Sequence, residues 1–153
     1  MTRFLIFLVL NFGALGLGSL LIGNITGNQW YTDLNKAPWT PPGWVFGAAW
    51  FSIMVAFSLY MYHVSGTVPA NELRRLYLLY AAQWVLNVAW NPVFFRLHMV
   101  WPGLIVIVAL TILVGYFLIW GKNVAGTQTL WVLPYFLWLL IATSLNGYIA
   151  LRN

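Results

Sequence analysis

The sequence predicts an all-α integral membrane protein, a bundle of five transmembrane helices. Of its 153 residues, 62% are hydrophobic and 6% are charged, and the mean hydropathy is +0.83. A soluble domain carries about 25% charged residues, because its surface must be solvated. The few charges here also leave five long, nearly uncharged stretches between them. A domain with a water-facing surface all around is therefore excluded.

Each of these stretches is long enough for one membrane-crossing helix, since about 20 residues span a hydrocarbon core of about 30 Å. We predict a single domain over residues 1–153, with helices at residues 4–22, 44–64, 75–95, 99–120 and 129–151. The apolar run after Arg3 is interpreted as the first helix rather than a cleaved signal peptide. Runs such as LIVIVALTILVGYFLIW do not alternate polar and apolar residues, which argues against a membrane β-barrel.

The connection between the first two helices, residues 23–43, is much longer than the others. It contains the segment WYTDLNKAPWTPPGW, whose aromatic rings and prolines are not typical of disorder. Long loops in compact domains are usually functional when they are ordered. We predict an ordered lid over the end of the bundle where the second helix begins and the third and fifth helices end.

Ordinary catalytic and metal-binding groups are scarce. Only Asp33 and Glu72 are acidic, and they fall on opposite sides of the membrane, as do His63 and His98. The chain has no cysteine. Paired carboxylates, thiolates and a shared metal site are thereby excluded, and we expect no cofactor. The net charge is +5, but the basic residues do not cluster beyond one adjacent pair, so we expect no nucleic-acid partner.

The side chains best suited to binding a ligand are aromatic rings and amides. The chain has 10 Trp, 8 Tyr and 10 Phe. Interfacial belts explain many of them, whereas Trp50 and Trp138 lie deeper than such a belt. Amides such as Asn87 and Asn146 are costly in lipid, so their helix faces should point inward. Interhelical hydrogen bonding alone is the competing explanation for each amide. Aromatic walls, amides and a lid at one end predict a pocket for a flat apolar ligand.

Two weaker patterns suggest further contacts. Ala14 and Gly18 are spaced for close helix approach and, with Gly13 and Gly16, predict a homodimer face on the first helix. Leu145, Tyr148 and Arg152 fit a pattern proposed for cholesterol contact.

Three segments together resemble the translocator protein family, also called tryptophan-rich sensory proteins or peripheral-type benzodiazepine receptors. They are WYTDLNKAPWTPPGWVFGAAW in the long loop, YAAQWVLNVAWNPVFF in the third helix and PYFLWLLIATSLN in the fifth. The resemblance implies a five-helix bundle, usually a homodimer, with a cavity roofed by the loop that binds porphyrins and sterols. It implies ligand-binding roles for Trp30, Trp39, Trp50, Asn87, Trp90, Trp138, Ala142 and Asn146.

The resemblance favours a protein that senses, sequesters or transports tetrapyrroles such as protoporphyrin IX and haem, in a bacterial cell envelope. An alternative is a light- and oxygen-dependent porphyrin-degrading enzyme, in which Trp50 and Trp138 would take part. A coupled solute transporter is disfavoured, because the sequence shows neither inverted repeats nor charges within the membrane.

Overall fold

The computed structural model describes residues 1–22 and 29–153, and this part of the chain is helical with short connections. Five long helices dominate it, with a short helix between the first two. The helices are α1 (Thr2–Ile22), α2 (Gln29–Asp33), α3 (Gly43–Thr67), α4 (Leu73–Asn91), α5 (Val100–Ala125) and α6 (Leu133–Arg152).

The long helices form one bundle around a shared core. Helix α1 packs against α3 and α4, α5 packs against α4 and α6, and α3 contacts both α5 and α6. The core is rich in large rings, among them Phe57, Tyr60, Phe117 and Tyr135, each at most 1% exposed. The outer faces of the helices present apolar side chains such as Leu20 and Ile119 instead of charges. A bundle that is apolar inside and outside is typical of a protein embedded in lipid.

Three segments are long and apolar enough to cross a membrane: Thr2–Ile22, Gly43–Thr67 and Val100–Arg152. The last has 53 residues, about 80 Å of helix, against a hydrocarbon core of about 30 Å. It contains α5, a turn and α6, which pack side by side. Helix α4 is less apolar because it carries Arg74, Arg75 and three amides. Five crossings therefore remain our prediction.

The helix boundaries differ from those predicted where turns break the regular pattern. The third long helix ends at Asn91, and Pro92–Arg96 forms a π-helical turn in which the Leu97 amide donates to the Pro92 carbonyl at 2.9 Å. Proline has no amide hydrogen for the preceding helical turn, so the regular pattern must change there. His98 then adopts a left-handed backbone conformation, with φ of 56°.

The segment GKNVAGTQ, predicted as a loop, is mostly helical. Helix α5 continues to Ala125, and a 3-10 helix at Gly126–Val132 leads into α6. Gly126 has a φ of 57°, a conformation that glycine adopts without strain. The glycine, and not the polar residues before it, therefore marks the end of the helix.

A hydrogen-bonded network joins α1, α3 and α4 inside the bundle. The Tyr80 hydroxyl donates to Asn11 Oδ1 at 2.8 Å, and Asn11 Nδ2 donates to Ser58 Oγ at 2.8 Å. Ser58 Oγ donates in turn to the Met54 carbonyl at 2.6 Å. These buried polar groups are thus paired with one another, as an apolar environment requires.

The proposed dimer face on α1 is wrong for its two defining residues. Ala14 is 2% exposed, and Gly18 is also buried. A side chain on Gly18 would meet the Asn91 side chain of the same molecule, whereas one on Gly13 or Gly16 would meet nothing within 4 Å. Gly18 therefore lets α1 approach Asn91 of its own chain, and Ala14 and Gly18 are not available for contact with a second chain.

Candidate functional site

The candidate site lies at the end of the bundle where α3 and α5 begin and where α4 and α6 end. The described part of the long loop, residues 29–42, crosses this end and is called the lid below. The other predicted lid residues, 23–28, lie outside the described part of the chain.

Stacked rings hold the lid on one side. The Trp30 indole stacks on His98, with ring centroids 4.2 Å apart and planes 15° apart, and its edge meets Phe94 at 5.6 Å. Phe94 is 1% exposed and stacks on Trp90 at 5.8 Å. Trp30 is thus linked through Phe94 to Trp90, which connects the lid to the predicted site residues on α4.

The lid is also tied to the end of α6. The backbone amide of Asn35 donates to Asn153 Oδ1 at 2.8 Å, and Asn153 Nδ2 donates to the backbone carbonyl of Asn35 at 3.3 Å. Within the lid, the Lys36 ammonium lies 4.7 Å from the centre of the Tyr31 ring. Burial raises the pKa of the Tyr31 hydroxyl above its ordinary value. Hydrogen bonds between Asn35 and Asn153 therefore hold the lid on the end of α6.

Trp39 lies away from the other predicted site residues. Its indole is 55% exposed, donates to Ser144 Oγ at 3.2 Å and meets the Tyr148 ring edge-on at 5.4 Å. Trp39 takes this outer position because of a turn in which the backbone amide of Thr40 donates to the Ala37 carbonyl at 3.0 Å. Ala37, 4% exposed, takes the buried position, and Trp39 lies on the outer side of α6.

Helices α4 and α6 meet at an amide–indole pair. Trp90 Nε1 donates to Asn146 Oδ1 at 3.3 Å, and Asn146 Nδ2 donates to the Ala142 carbonyl at 3.1 Å. These residues and Asn87 are between 4% and 8% exposed. The structure therefore brings Trp90, Ala142 and Asn146 together and buries Asn87 on the same helix as Trp90.

Two polar atoms near the centre of the bundle have no hydrogen-bond partner among the described residues. One is the indole nitrogen of Trp138, which is 7% exposed and whose ring meets Phe46 edge-on at 5.2 Å. The other is Oε1 of Gln83, whose Nε2 donates to the Tyr135 hydroxyl at 2.8 Å. A buried polar group without a partner costs about 1–3 kcal/mol. A free donor and a free acceptor are thus available to a molecule that enters the bundle.

Trp50 lies close to this centre. It is half-buried, and its ring centroid is 6.0 Å from that of Tyr135 in an edge-on arrangement. Tyr135 is in turn 5.3 Å from Phe57, and Phe57 is 6.1 Å from Tyr80. A continuous series of aromatic rings therefore leads from Trp50 into the core.

Several rings beneath the lid contact one another, among them Trp30, Phe94 and Trp90. Two open grooves, of about 250 and 320 Å³, lie on the outer surface of α1. Residue types and helix faces predicted aromatic side chains at this end of the bundle, but not which of the rings contact one another.

Phe46 and Phe94 contact predicted site residues, Trp138 and Trp90, but were not themselves predicted. Phe94 follows Trp90 by one helical turn, a spacing that places both residues on one face. Phe46 precedes Trp50 by four residues in the same way. These spacings were the available signal, although the π-helical turn at Pro92 disturbs the first of them.

The three residues of the proposed sterol pattern do not share one accessible surface. Leu145 is 6% exposed, whereas Arg152 is exposed and its guanidinium carbon lies 5.7 Å from the centre of the Tyr148 ring. Tyr148 and Arg152 thus lie beside each other, while Leu145 faces the interior.

Together, the apolar helices, their aromatic core and the tied lid define a helical integral membrane protein with a candidate small-molecule site at one end. The sequence matches the TspO/MBR family over residues 5–152, and the chain belongs to this family.

Relatives from several kingdoms are similar over most of their length. Protein CrtK of Rhodobacter capsulatus is 36% identical over 118 residues, which cover 76% of this chain and 74% of the relative. The tryptophan-rich sensory protein of Cereibacter sphaeroides is 32% identical over 78% of this chain and 73% of its own length. The human translocator protein is 28% identical over 78% of this chain and 72% of its own length.

Proposed function

We propose that this protein binds porphyrins such as protoporphyrin IX and haem, and sterol-like molecules, beneath the lid, for tetrapyrrole sensing, sequestration or transport. The observation that carries the proposal is the pair of unpartnered polar atoms, Trp138 Nε1 and Gln83 Oε1, buried among aromatic rings. A flat apolar ligand with a few polar groups would stack on these rings and satisfy both atoms. The names of two relatives, tryptophan-rich sensory protein and translocator protein, agree with sensing or transport.

Amides at the lid end would receive the polar edge of such a ligand. Asn146 and Asn87 are buried there, and Trp90 holds the Asn146 side chain in place through its indole hydrogen bond. An amide can donate to a carboxylate and accept from a hydroxyl. The same site would thus take a porphyrin propionate or a sterol hydroxyl.

Fluorescence titration of the protein in lipid nanodiscs tests this proposal. Added protoporphyrin IX should quench tryptophan fluorescence and saturate at about one molecule per chain. Asn146→Leu, which keeps a similar side-chain volume, should weaken binding, because the amide and the anchor of Trp90 are both lost. Asn123→Leu is the control, since Asn123 is exposed near the other end of α5. Quenching that rises in proportion to added porphyrin without saturating would show partitioning into lipid and refute the proposal.

A second candidate function is degradation of the bound porphyrin in light, with O₂ as the oxidant. The series of rings from Trp50 through Tyr135 to Phe57, with centroids 6.0 and 5.3 Å apart, favours it, because rings at such distances can quench or relay an excited state. Illumination should bleach the Soret band of bound porphyrin, and the bleaching should slow in Trp50→Phe and in Trp138→Phe. Equal bleaching in both variants and in the parent would exclude this role.

A further inference from the structure

Two neighbouring grooves on the outer surface of α1 lie at the end of the bundle away from the lid. Arg3 marks this end, because its Nη1 donates to the carbonyl of Ser65, near the end of α3. The first groove, of about 250 Å³, lies between α1 and α4. The second, of about 320 Å³, follows α1 itself. The lining residues are Arg3, Ile6, Phe7, Leu10, Tyr77 and Tyr80 for the first groove, and Thr2, Leu5, Ile6, Val9 and Leu10 for the second.

The grooves have the form expected of a site for two hydrocarbon chains. Ile6 and Leu10 line both grooves and therefore form the ridge between them. Leu5, Ile6 and Val9 are 52%, 52% and 71% exposed, so this face of α1 meets lipid. A phospholipid carries two acyl chains side by side, and each could occupy one groove.

The polar end of the grooves carries two arginines, Arg3 and Arg74, that form no ion pair with a carboxylate in the described part of the chain. Arg75 and Glu72 form the one ion pair among the described residues. Neither Arg3 nor Arg74 is therefore paired with an acidic side chain there. Arg74 is exposed and lies one helical turn before Tyr77, which lines the first groove. Arg3 also lies over the Tyr62 ring, at 5.7 Å, which fixes its guanidinium near the groove.

We propose that this surface is a binding site for one anionic phospholipid, with its phosphate on Arg3 and Arg74 and its acyl chains in the two grooves. A guanidinium has five donors in a planar fork that matches phosphate oxygens, and Arg3 uses one of them on Ser65. The site is separate from the lid, because it lies at the opposite end of α3. It does not depend on the function proposed for the lid end.

Native mass spectrometry of the detergent-solubilised protein tests the site. Equal amounts of phosphatidylglycerol and phosphatidylcholine with identical acyl chains are added, and the ratio of the two lipid adducts is measured. The parent should retain phosphatidylglycerol preferentially. Arg3→Gln should lower the ratio about fivefold, the effect of one basic residue near an anionic lipid. Arg96→Gln removes an exposed charge at the other end and should leave the ratio unchanged.

A second pair of variants tests the grooves themselves. Ile6→Trp should reduce binding of both lipids because the larger side chain fills the grooves, whereas Ile105→Trp on the outer face of α5 should not. Both positions are exposed, so folding should be preserved, and the melting temperature checks this. Equal retention of the two lipids by the parent, or equal losses in Arg3→Gln and Arg96→Gln, would overturn the proposal.

The alternative occupant is a second copy of the chain. The sequence has no cysteine, so Ile6→Cys provides a single crosslinking position. Under the proposal, Ile6→Cys forms little disulfide-linked dimer in vesicles that contain phosphatidylglycerol. If the yield of crosslinked dimer is high and is the same with and without phosphatidylglycerol, this face belongs to a dimer interface and the lipid site is overturned.

Discussion

Replacing Trp138 with phenylalanine should separate the cost of an unpartnered polar atom from its use in binding. The indole nitrogen is buried and has no acceptor among the described residues. Removing it recovers about 1–3 kcal/mol of desolvation penalty in the ligand-free protein. The smaller ring leaves unfilled space, which costs about 1–2 kcal/mol. The two effects oppose each other, so the free energy of unfolding should change by between about −1 and about +2 kcal/mol.

Binding should respond differently, because the ligand would lose a hydrogen bond. A hydrogen bond to a charged group contributes about 1.5–3 kcal/mol, and each 1.4 kcal/mol is a factor of ten in affinity. The dissociation constant for protoporphyrin IX should therefore rise about ten- to hundredfold in Trp138→Phe. Soret absorbance titrations in nanodiscs measure this constant, and unfolding in SDS measures stability.

Trp131→Phe is the matched control. Trp131 lies on the 3-10 helix at the opposite end, is 43% exposed and donates to Gln128 Oε1 at 3.2 Å. Its replacement should leave porphyrin affinity unchanged. An unchanged dissociation constant in Trp138→Phe, or the same loss in both variants, would refute the role assigned to the buried nitrogen.

Three further substitutions test the architecture. Tyr80→Phe should lower the free energy of unfolding in SDS by about 1 kcal/mol, because Asn11 loses its hydroxyl donor. Asn153→Ala should speed hydrogen exchange at the Asn35 amide, because it removes the acceptor that ties the lid to α6, with stability changed by less than about 0.5 kcal/mol. Gly121→Ala should destabilise by about 1–3 kcal/mol in the same SDS assay, because the new methyl carbon would lie 2.6 Å from a buried tyrosine hydroxyl.

Two of these substitutions have a matched control variant, and for the third an unchanged measurement would contradict the prediction. Tyr77→Phe removes an exposed hydroxyl and should have little effect, so equal losses in the two tyrosine variants would contradict the network. Gly47→Ala meets nothing within 4 Å and should stabilise α3 by up to about 1 kcal/mol, opposite in sign to Gly121→Ala. Unchanged exchange at Asn35 in Asn153→Ala would show that the lid is held elsewhere.

The sequence predicted the helical bundle because hydrocarbon imposes a simple rule: backbone groups must be paired within long apolar helices. It did not predict the extent of α5, since the predicted helix ended at residue 120, whereas α5 continues to Ala125. The helix continues because nothing in the intervening residues breaks it, and it ends where Gly126 takes a positive φ. Hydropathy alone does not carry that information.

The aromatic site was predicted in part. Trp90, Ala142 and Asn146 meet because their spacing along α4 and α6 puts them on facing surfaces. Trp39 could not be placed, because a single turn at Ala37 decides which side of the lid it occupies.

The small-residue pattern on α1 was misleading for a physical reason. Small residues allow close approach of any partner, and the partner of Gly18 here is Asn91 of the same chain. Ala14 is likewise buried within the chain. The sequence pattern does not distinguish contact within a chain from contact between chains.

The most direct test of the ligand site is a structure of the protein with protoporphyrin IX bound in nanodiscs. We predict the macrocycle beneath the lid, stacked within van der Waals distance of Trp50 and Trp138, with a polar atom of the ligand on Trp138 Nε1. A macrocycle in the lipid-facing grooves of α1, with the rings beneath the lid still packed against one another, would contradict it.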